Sequence, residues 1–360
     1  MYIGSTKYHM QVDYIIIGQG LSGTFLSRNL LKAGFSVLVI DESKPFTASK
    51  VASGIINPIT GRRIVRTWEI ETLMPYAVEA YTSFGKELNE SLIRQCNILD
   101  FHPTPQMKIA FAERYPFEKE YLRLPADENE WQAYFNYHFG FGEINPCWLI
   151  DLNTLLNGWR KELQNRNALL EEKFCFENCT ITTDQISYQN ITAKKIFFCD
   201  GVSGFDNPYF KMLPYARNKG EALIVDIPNL PANHIYKQGM NIVPWSDGLF
   251  WVGSSYEWEF ADSLPSESFR KKMEGQLRYW LKLPYAVVNH FASERPANME
   301  RRPFAGLHPV MPSVGILNGF GTKGCTLAPY FSAQLTDFLL SQKPIEPLVD
   351  VRRFTKILSR

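Results

Sequence analysis

No pair of the six cysteines (Cys96, Cys147, Cys175, Cys179, Cys199 and Cys325) is spaced C-x-x-C, and no histidine stands near them at zinc-binding spacing. A structural zinc and a dithiol redox pair are therefore not encoded, and the thiols read as buried or idle. Net charge is equally scarce. The 38 Lys and Arg against 37 Asp and Glu leave a formal +1, too little to recruit nucleic acid or an anionic membrane through a global field. No run approaches the ~18 apolar residues of a membrane span. Residues 1–9 lack the apolar core of a signal peptide, so a cytoplasmic protein is expected, with Met10 a candidate natural start. Repeats and low-complexity tracts are also missing. Against these absences stand 45% apolar and 14% aromatic residues in a chain of 360, enough to fill the cores of two domains or one elaborate one.

What is present is concentrated in residues 13–41, DYIIIGQGLSGTFLSRNLLKAGFSVLVID. A short β-branched run, 14–17, suits a strand buried on both faces of a parallel sheet. Gly18, Gly20 and Gly23 then form G-x-G-x-x-G. The first allows a sharp turn, the second lets the backbone approach a pyrophosphate, and the third lets the following helix pack close to the strand. The pyrophosphate would face a helix N-terminus with its unpaired N–H groups and positive dipole end. Phe25, Leu26, Leu30 and Leu31 keep helical spacing up to Gly34, a helix-ending residue. A second strand, 36–40, ends at Asp41, at the spacing of a carboxylate that accepts from a ribose hydroxyl. Glycines alone cluster in ordinary turns; the strand, helix and acid around them make this a dinucleotide-binding unit. The acid argues against a 2′-phosphate and so against NADP, while FAD and NAD both satisfy the pattern.

Residues 47–61 form a loop of small residues, suited to lying against a flat ring. Arg62, Arg63 and Arg66 follow in a helical phase, readable as a solvated face or as phosphate contacts. An amphipathic helix is expected over 73–92, irregular aromatic-rich material over 98–141, a helix over 151–163 and short strands over 174–198. The last of these strands, 195–199, runs into Asp200 and Gly201, a second strand end meeting glycine. Runs at 221–225, 241–245 and 249–254, with Asp247 and Gly248 as a hairpin turn, indicate an antiparallel sheet. A helix over 266–283, a strand over 314–317, a glycine loop over 318–324 and a helix opened by Pro329 complete the chain. The fold class expected is α/β: a Rossmann-like domain with a second α+β domain containing an antiparallel sheet.

In order along the chain, IIIGQGLSG with VLVID, VASGIINP, IFFCDGVSG, NKGEALIV, NIVPWSDGLFWVGSSYE, SERPANMERRPFAGLHP and ILNGFGTKGCTLAP resemble the FAD-dependent oxidoreductases of the D-amino-acid oxidase class. Within that class the likeness is to the glycine oxidase and sarcosine oxidase branch. The resemblance implies a discontinuous FAD-binding domain (10–80, 146–215 and 296–360). It also implies a substrate domain (81–145 and 216–295) whose antiparallel sheet covers the flavin. Carried over, Gly18, Gly20, Leu21, Ser22 and Gly23 hold the pyrophosphate and Asp41 the adenosine ribose. Ser53, Gly54 and Ile55 lie along the pyrophosphate and flavin edge, and Gly201 approaches the dinucleotide. Gly321, Thr322, Lys323, Gly324 and Cys325 face the flavin O2 and N1 edge, where Lys323 and a helix N-terminus favour anionic charge. Lys323 reads equally as a solvated loop lysine.

Arg295 matches the arginine that pairs with a substrate carboxylate, a contact for which the planar guanidinium fork is suited; the bland alternative is a structural ion pair. Tyr256 and Trp258 read as pocket lining or, more simply, aromatic core, and His308 as structural. The implied activity is oxidation of the carbon–nitrogen bond of an amino acid or N-substituted glycine, a small-molecule substrate, by hydride transfer to flavin N5, giving an imine that water hydrolyses. FAD is expected to be non-covalent, since residues 295–312 hold no cysteine where sarcosine oxidase relatives tether theirs. Two departures stand out: Glu300, Arg301 and Arg302 change the local charge after the arginine–proline pair, and residues 84–141 match nothing in the class. Two other readings stay open, a tRNA wobble-uridine-modifying FAD oxidase and a flavin-binding protein without turnover.

Overall fold

The computed structural model describes residues 9–360; the reading of residues 1–9 as a leader thus falls, His9 apart, outside the described residues. The chain forms two compact units. The first comprises residues up to Lys50, Asn153–Arg217 and Arg295–Arg360, and the second Val51–Leu152 and Asn218–Glu294.

The first unit is built on a parallel sheet running Leu169–Leu170, Val37–Ile40, Met10–Ile17, Ile191–Phe198 and Val314–Asn318. Ile15 and Ile16, adjacent in sequence and so on opposite faces, are both fully buried, as a doubly covered strand requires. The register sets Ile17 beside Ile40 and Phe198, and Phe198 beside Ile316. Four strands from distant parts of the chain therefore end at one edge. An antiparallel hairpin, Cys179–Ile181 with Ile186–Tyr188, pairs with the early half of Ile191–Phe198. The helix Leu21–Lys32 packs along Gly324–Ser341. It closes as expected at Gly34, φ +87°, where Gly34 N–H donates to Leu31 O (3.1 Å) and Phe35 N–H to Leu30 O (3.1 Å), the paired bonds of a Schellman ending.

The second unit holds most of an eight-stranded sheet ordered Ala286–Asn298, Tyr215–Asp226, Phe250–Gly253, Asn241–Pro244, Ile235–Lys237, Ile98–Phe101, Phe141–Ile144 and Leu122–Arg123. From Tyr215–Asp226 onward its pairs are antiparallel except Ile235–Lys237 with Ile98–Phe101. Asp247 and Gly248, φ +58° and +74°, make the turn between Asn241–Pro244 and Phe250–Gly253. The helix Glu267–Trp280, capped by Ser266 Oγ accepting from Phe269 N–H (3.3 Å), buries Phe269, Met273 and Leu277 against this sheet. Glu221 is fully buried beneath that cap, accepting from Ser266 N–H (2.6 Å) and Oγ (2.7 Å) beside Lys219 (3.3 Å).

Several expected boundaries move. Residues 51–80, expected with the FAD-binding segments, group with the second unit because Ile55 and Ile56 ladder onto Leu149 and Trp148. The 73–92 helix is Ile70–Leu88, stopped by Asn89 in a left-handed conformation, and the 266–283 helix ends at Trp280, where Leu281 turns extended. The last long helix opens at Gly324, with Pro329 inside it, rather than at Pro329. The helical phase of Arg62, Arg63 and Arg66 is a turn feeding a two-residue hairpin, Ile59–Thr60 with Val65–Arg66. The unmatched stretch 84–141 supplies Phe101, Trp131, Phe135, Tyr137 and Phe141 to the second unit's aromatic core, with Phe135 stacked on Trp280 at 4.7 Å. No helix among the described residues is long and apolar enough to cross a membrane.

Candidate active site at the strand ends

In the first unit the common edge of the parallel strands carries most of the residues singled out from the sequence. Gly18 sits at φ +95°, and a Cβ on it would lie 2.6 Å from Cys199 O. A Cβ on Gly23 would lie 1.9 Å from Gly18 O, so the helix touches the turn backbone to backbone. Gly20 precedes the first helical residue, Leu21, whose N–H donates to Ser49 Oγ (3.1 Å). That hydroxyl marks where an acceptor is wanted, and Gly20, Leu21, Ser22 and Gly23 form the cradle that a pyrophosphate would fill.

Asp41, at the end of the neighbouring strand, accepts from Gln19 N–H (2.9 Å) and Ser43 N–H (2.8 Å). It also pairs with Arg160, 2.8 Å from Nη1 to Oδ1. This arginine, on the helix Leu152–Asn165 with its side chain only 12% exposed, reaches Gln19 Oε1 (3.2 Å) and Glu171 (2.8 Å) as well. Sequence reasoning missed it: nothing in the Leu152–Asn165 pattern marks one arginine of an amphipathic helix as facing an acid 119 residues away.

Asp200 and Gly201 close the third strand. Gly201 has φ +57° and open space where a Cβ would be, as a close approach to a ligand needs. Asp200 as a whole is half-buried, but its carboxyl is enclosed by neutral neighbours, and that burial pushes it up to about 6 against hydrogen bonds from Asn207 and Asn318. A carboxyl raised above its unfolded value of 3.8 favours the fold while protonated, and the benefit is lost as pH rises through the folded value. Asp200→Asn, which cannot ionise, is therefore expected to melt higher than wild type as apoprotein at pH 8 and to match it near pH 4. The rise of about two pH units corresponds to roughly 3 kcal/mol; an unchanged difference across that range in thermal melts would refute it.

The glycine loop 319–324 follows the fourth strand. Gly319 and Gly321 take φ +80° and +55°, and Asn298 Nδ2 donates to Gly319 O (2.7 Å). Gly321 N–H donates to Pro296 O (3.0 Å), so the residue directly after Arg295 is tied to the loop. Arg295 is half-buried, Thr322 exposed, Lys323 half-buried and Cys325 buried. A Cβ on Gly324 would lie 3.3 Å from Leu21 Cδ1, so the N-termini of the two long helices open side by side. Two positive helix ends at one edge suit an anionic ligand.

Ser53, Gly54 and Ile55 belong to the second unit. A Cβ on Gly54 would lie 2.2 Å from Ile150 O, and Ile150 N–H donates to Gly54 O (3.0 Å), which is reason enough for glycine there. Tyr256 and Trp258, each 60% exposed, are not core. Arg66 pairs with Glu71 and with Glu118 (2.7 Å), with Glu120 3.9 Å away, which engages one of the three arginines within the fold. His308 is structural: its Nδ1 accepts from Val310 and Met311 N–H (3.3 and 3.1 Å). Glu300 pairs with Arg353 (3.2 Å).

A family model described as FAD dependent oxidoreductase (DAO) matches residues 13–338. The chain belongs to this family of FAD-dependent oxidoreductases. It is 21% identical to a glycine oxidase of Pseudomonas aeruginosa over 93% of this chain and 97% of that one. The fold matches glycine oxidase from Geobacillus kaustophilus, with a TM-score of 0.79 at 16% identity, covering 93% of this chain and 96% of that one. It also matches L-proline dehydrogenase from P. horikoshii, with a TM-score of 0.75 at 15% identity, covering 97% and 99%. As a DAO-family protein the chain is an FAD-dependent oxidoreductase of the amino-acid oxidase type. The glycine cradle, the acid at the second strand end and the paired helix N-termini fit FAD.

Proposed function

We propose that this chain oxidises the carbon–nitrogen bond of an amino acid or N-substituted glycine, with FAD bound non-covalently. When bound, FAD supplies the electron sink that takes a hydride from the carbon beside the nitrogen. The chain supplies placement and charge. Gly18, Gly20, Leu21, Ser22 and Gly23 hold the pyrophosphate, Asp41 the ribose, and Gly201 gives close backbone approach. The residues Gly321, Thr322, Lys323, Gly324 and Cys325 put a positive helix end, with Lys323 beside it, where the reduced cofactor gathers negative charge. Arg295 pairs with the substrate carboxylate through its guanidinium fork and so orients the carbon to be oxidised. No general base is needed when the amine binds neutral.

The observation that carries this reading is the 3.0 Å bond from Gly321 N–H to Pro296 O. It holds the backbone next to a half-buried arginine against the glycine loop, so a carboxylate bound there is fixed relative to that loop. The similarity to a curated glycine oxidase supports the same substrate class. Anaerobic mixing with a panel of amino acids, N-alkyl glycines and simple amines tests it: carboxylate-bearing amines are expected to bleach the flavin, and a flavin that no member reduces would sink the proposal. Acid precipitation is expected to leave all yellow colour in the supernatant, as FAD; colour in the pellet, or FMN in solution, would contradict a non-covalent dinucleotide.

A further inference from the structure

The third strand end holds a carboxylate, Asp200, that no cation among the described residues faces. Asn207 Nδ2 donates to Asp200 Oδ2 (3.3 Å) and Asn318 Nδ2 to Oδ1 (3.0 Å). The other titratable groups that feel this carboxylate are the Cys199 thiol and the Tyr215 hydroxyl, both raised above their usual values, chiefly by burial, and so neutral. Three of these groups converge on Gly204, where a Cβ would meet Asn318 Nδ2 at 2.8 Å, Asp200 Oδ1 at 3.0 Å and Tyr215 Oη at 3.0 Å. Tyr215 Oη is buried there without a hydrogen-bond partner among the described residues. A buried, uncompensated charge lowers stability, so its place at this edge calls for a reason other than packing.

Asn318 supplies one. The same amide that donates to Asp200 donates to Gly201 O (2.8 Å), while its carbonyl accepts from Gly319 N–H (2.8 Å). One buried side chain thus links the strand end, the open glycine and the first residue of the glycine loop. We propose that Asp200 is a positioning residue that, through Asn318, sets the backbone of the glycine loop 319–324 and so the hold of that loop on the cofactor. This rests on the reading that the loop holds FAD. Ionised, Asp200 accepts from both amides. Protonated, one of its oxygens becomes a donor, and Asn207 and Asn318 then compete for fewer acceptors. The hold is therefore tighter with Asp200 ionised, and FAD affinity rises as pH increases through the titration of this group.

The test measures FAD dissociation constants of the apoprotein by flavin fluorescence quenching from pH 5 to 8. Wild type is expected to bind about tenfold tighter at the top of this range than at the bottom. Asp200→Asn, which like the protonated acid offers one acceptor oxygen and one donor and cannot ionise, is expected to bind at pH 7.5 about as weakly as wild type at the bottom of the range and to lose the pH dependence. Asp200→Ala and Asn318→Ala are each expected to weaken FAD binding about tenfold at pH 7.5, and the double variant no more than the weaker single, as residues acting through one contact behave. Equal pH profiles in wild type and Asp200→Asn, additive single effects, or affinity that falls with rising pH would each overturn the proposal; the last would mean the charge acts on the cofactor directly. Wild-type apoprotein that binds no FAD removes the reading of the loop and this inference together. Wild-type binding with indistinguishable variants removes the inference alone.

Discussion

Arg295→Ala is expected to keep its FAD and to lose flavin reduction by carboxylate-bearing amines by about 30-fold or more. A bidentate, charge-assisted contact in a partly desolvated pocket is worth on the order of 2 to 5 kcal/mol, and the half-buried setting of Arg295 is one in which such a contact is only partly screened. Arg295→Lys places a point charge without the fork and should recover only part of the rate. Acetate should perturb the wild-type flavin spectrum and leave that of the Ala variant unchanged. Stopped-flow reduction with a carboxylate-bearing and a carboxylate-free amine separates the cases: only the former should slow. If the Ala variant instead sheds FAD or melts early, Arg295 is a strut of the fold and the substrate class is open again.

Gly23→Ala is expected to have the other large effect, this time on cofactor retention and stability together. Its methyl group would begin 1.9 Å from Gly18 O, a backbone atom that cannot rotate away. The helix Leu21–Lys32 must then lift from the turn, carrying with it the N–H groups proposed to hold the pyrophosphate. Overpacking of this kind lies at or beyond the upper end of roughly 1–3 kcal/mol, and FAD should be lost during purification. Gly34→Ala is the control. It lies at φ +87° with nothing within reach of a Cβ, so only backbone strain of about 1–2 kcal/mol applies, and FAD should stay bound. Purification of both variants, with absorbance at the flavin band and thermal melts, decides the matter: equal FAD content would show that the packing at Gly23 does not carry the cradle.

Gly18, Gly23 and Gly34 are readable because each answers a backbone need, a positive φ or a close approach, within a few residues of a strand or helix. The hairpin at Asp247 and Gly248 was readable for the same reason. Pro329 misleads because proline favours a first helical position, whereas here it stands inside a helix that Gly324 begins, at the cost of one backbone hydrogen bond. Arg62, Arg63 and Arg66 keep a helical phase over too few residues to outweigh Gly61, at φ +75°, and the hairpin whose turn it opens. Tyr256 and Trp258 read as core or pocket lining from residue type and their place near a strand end, and neither says which side faces solvent.

By itself the sequence determined the dinucleotide-binding unit, the family resemblance and the identity of the loops that meet at the strand ends, because these rest on short-range rules: periodicity, glycine conformation and helix capping. Only the tertiary structure decided which distant groups complete those loops. The Arg160 pair with Asp41 spans 119 residues and the Asn318 bridge to Asp200 spans 118. Neither leaves a periodic or compositional trace, since one arginine or asparagine on a buried face looks like any other until the sheet register and helix packing bring it to its partner. The placement of residues 51–80 in the second unit has the same origin. Two residues, Ile55 and Ile56, laddered onto Leu149 and Trp148, outweigh their nearness in sequence to the glycine cradle, because buried backbone groups must find hydrogen-bond partners wherever the fold offers them.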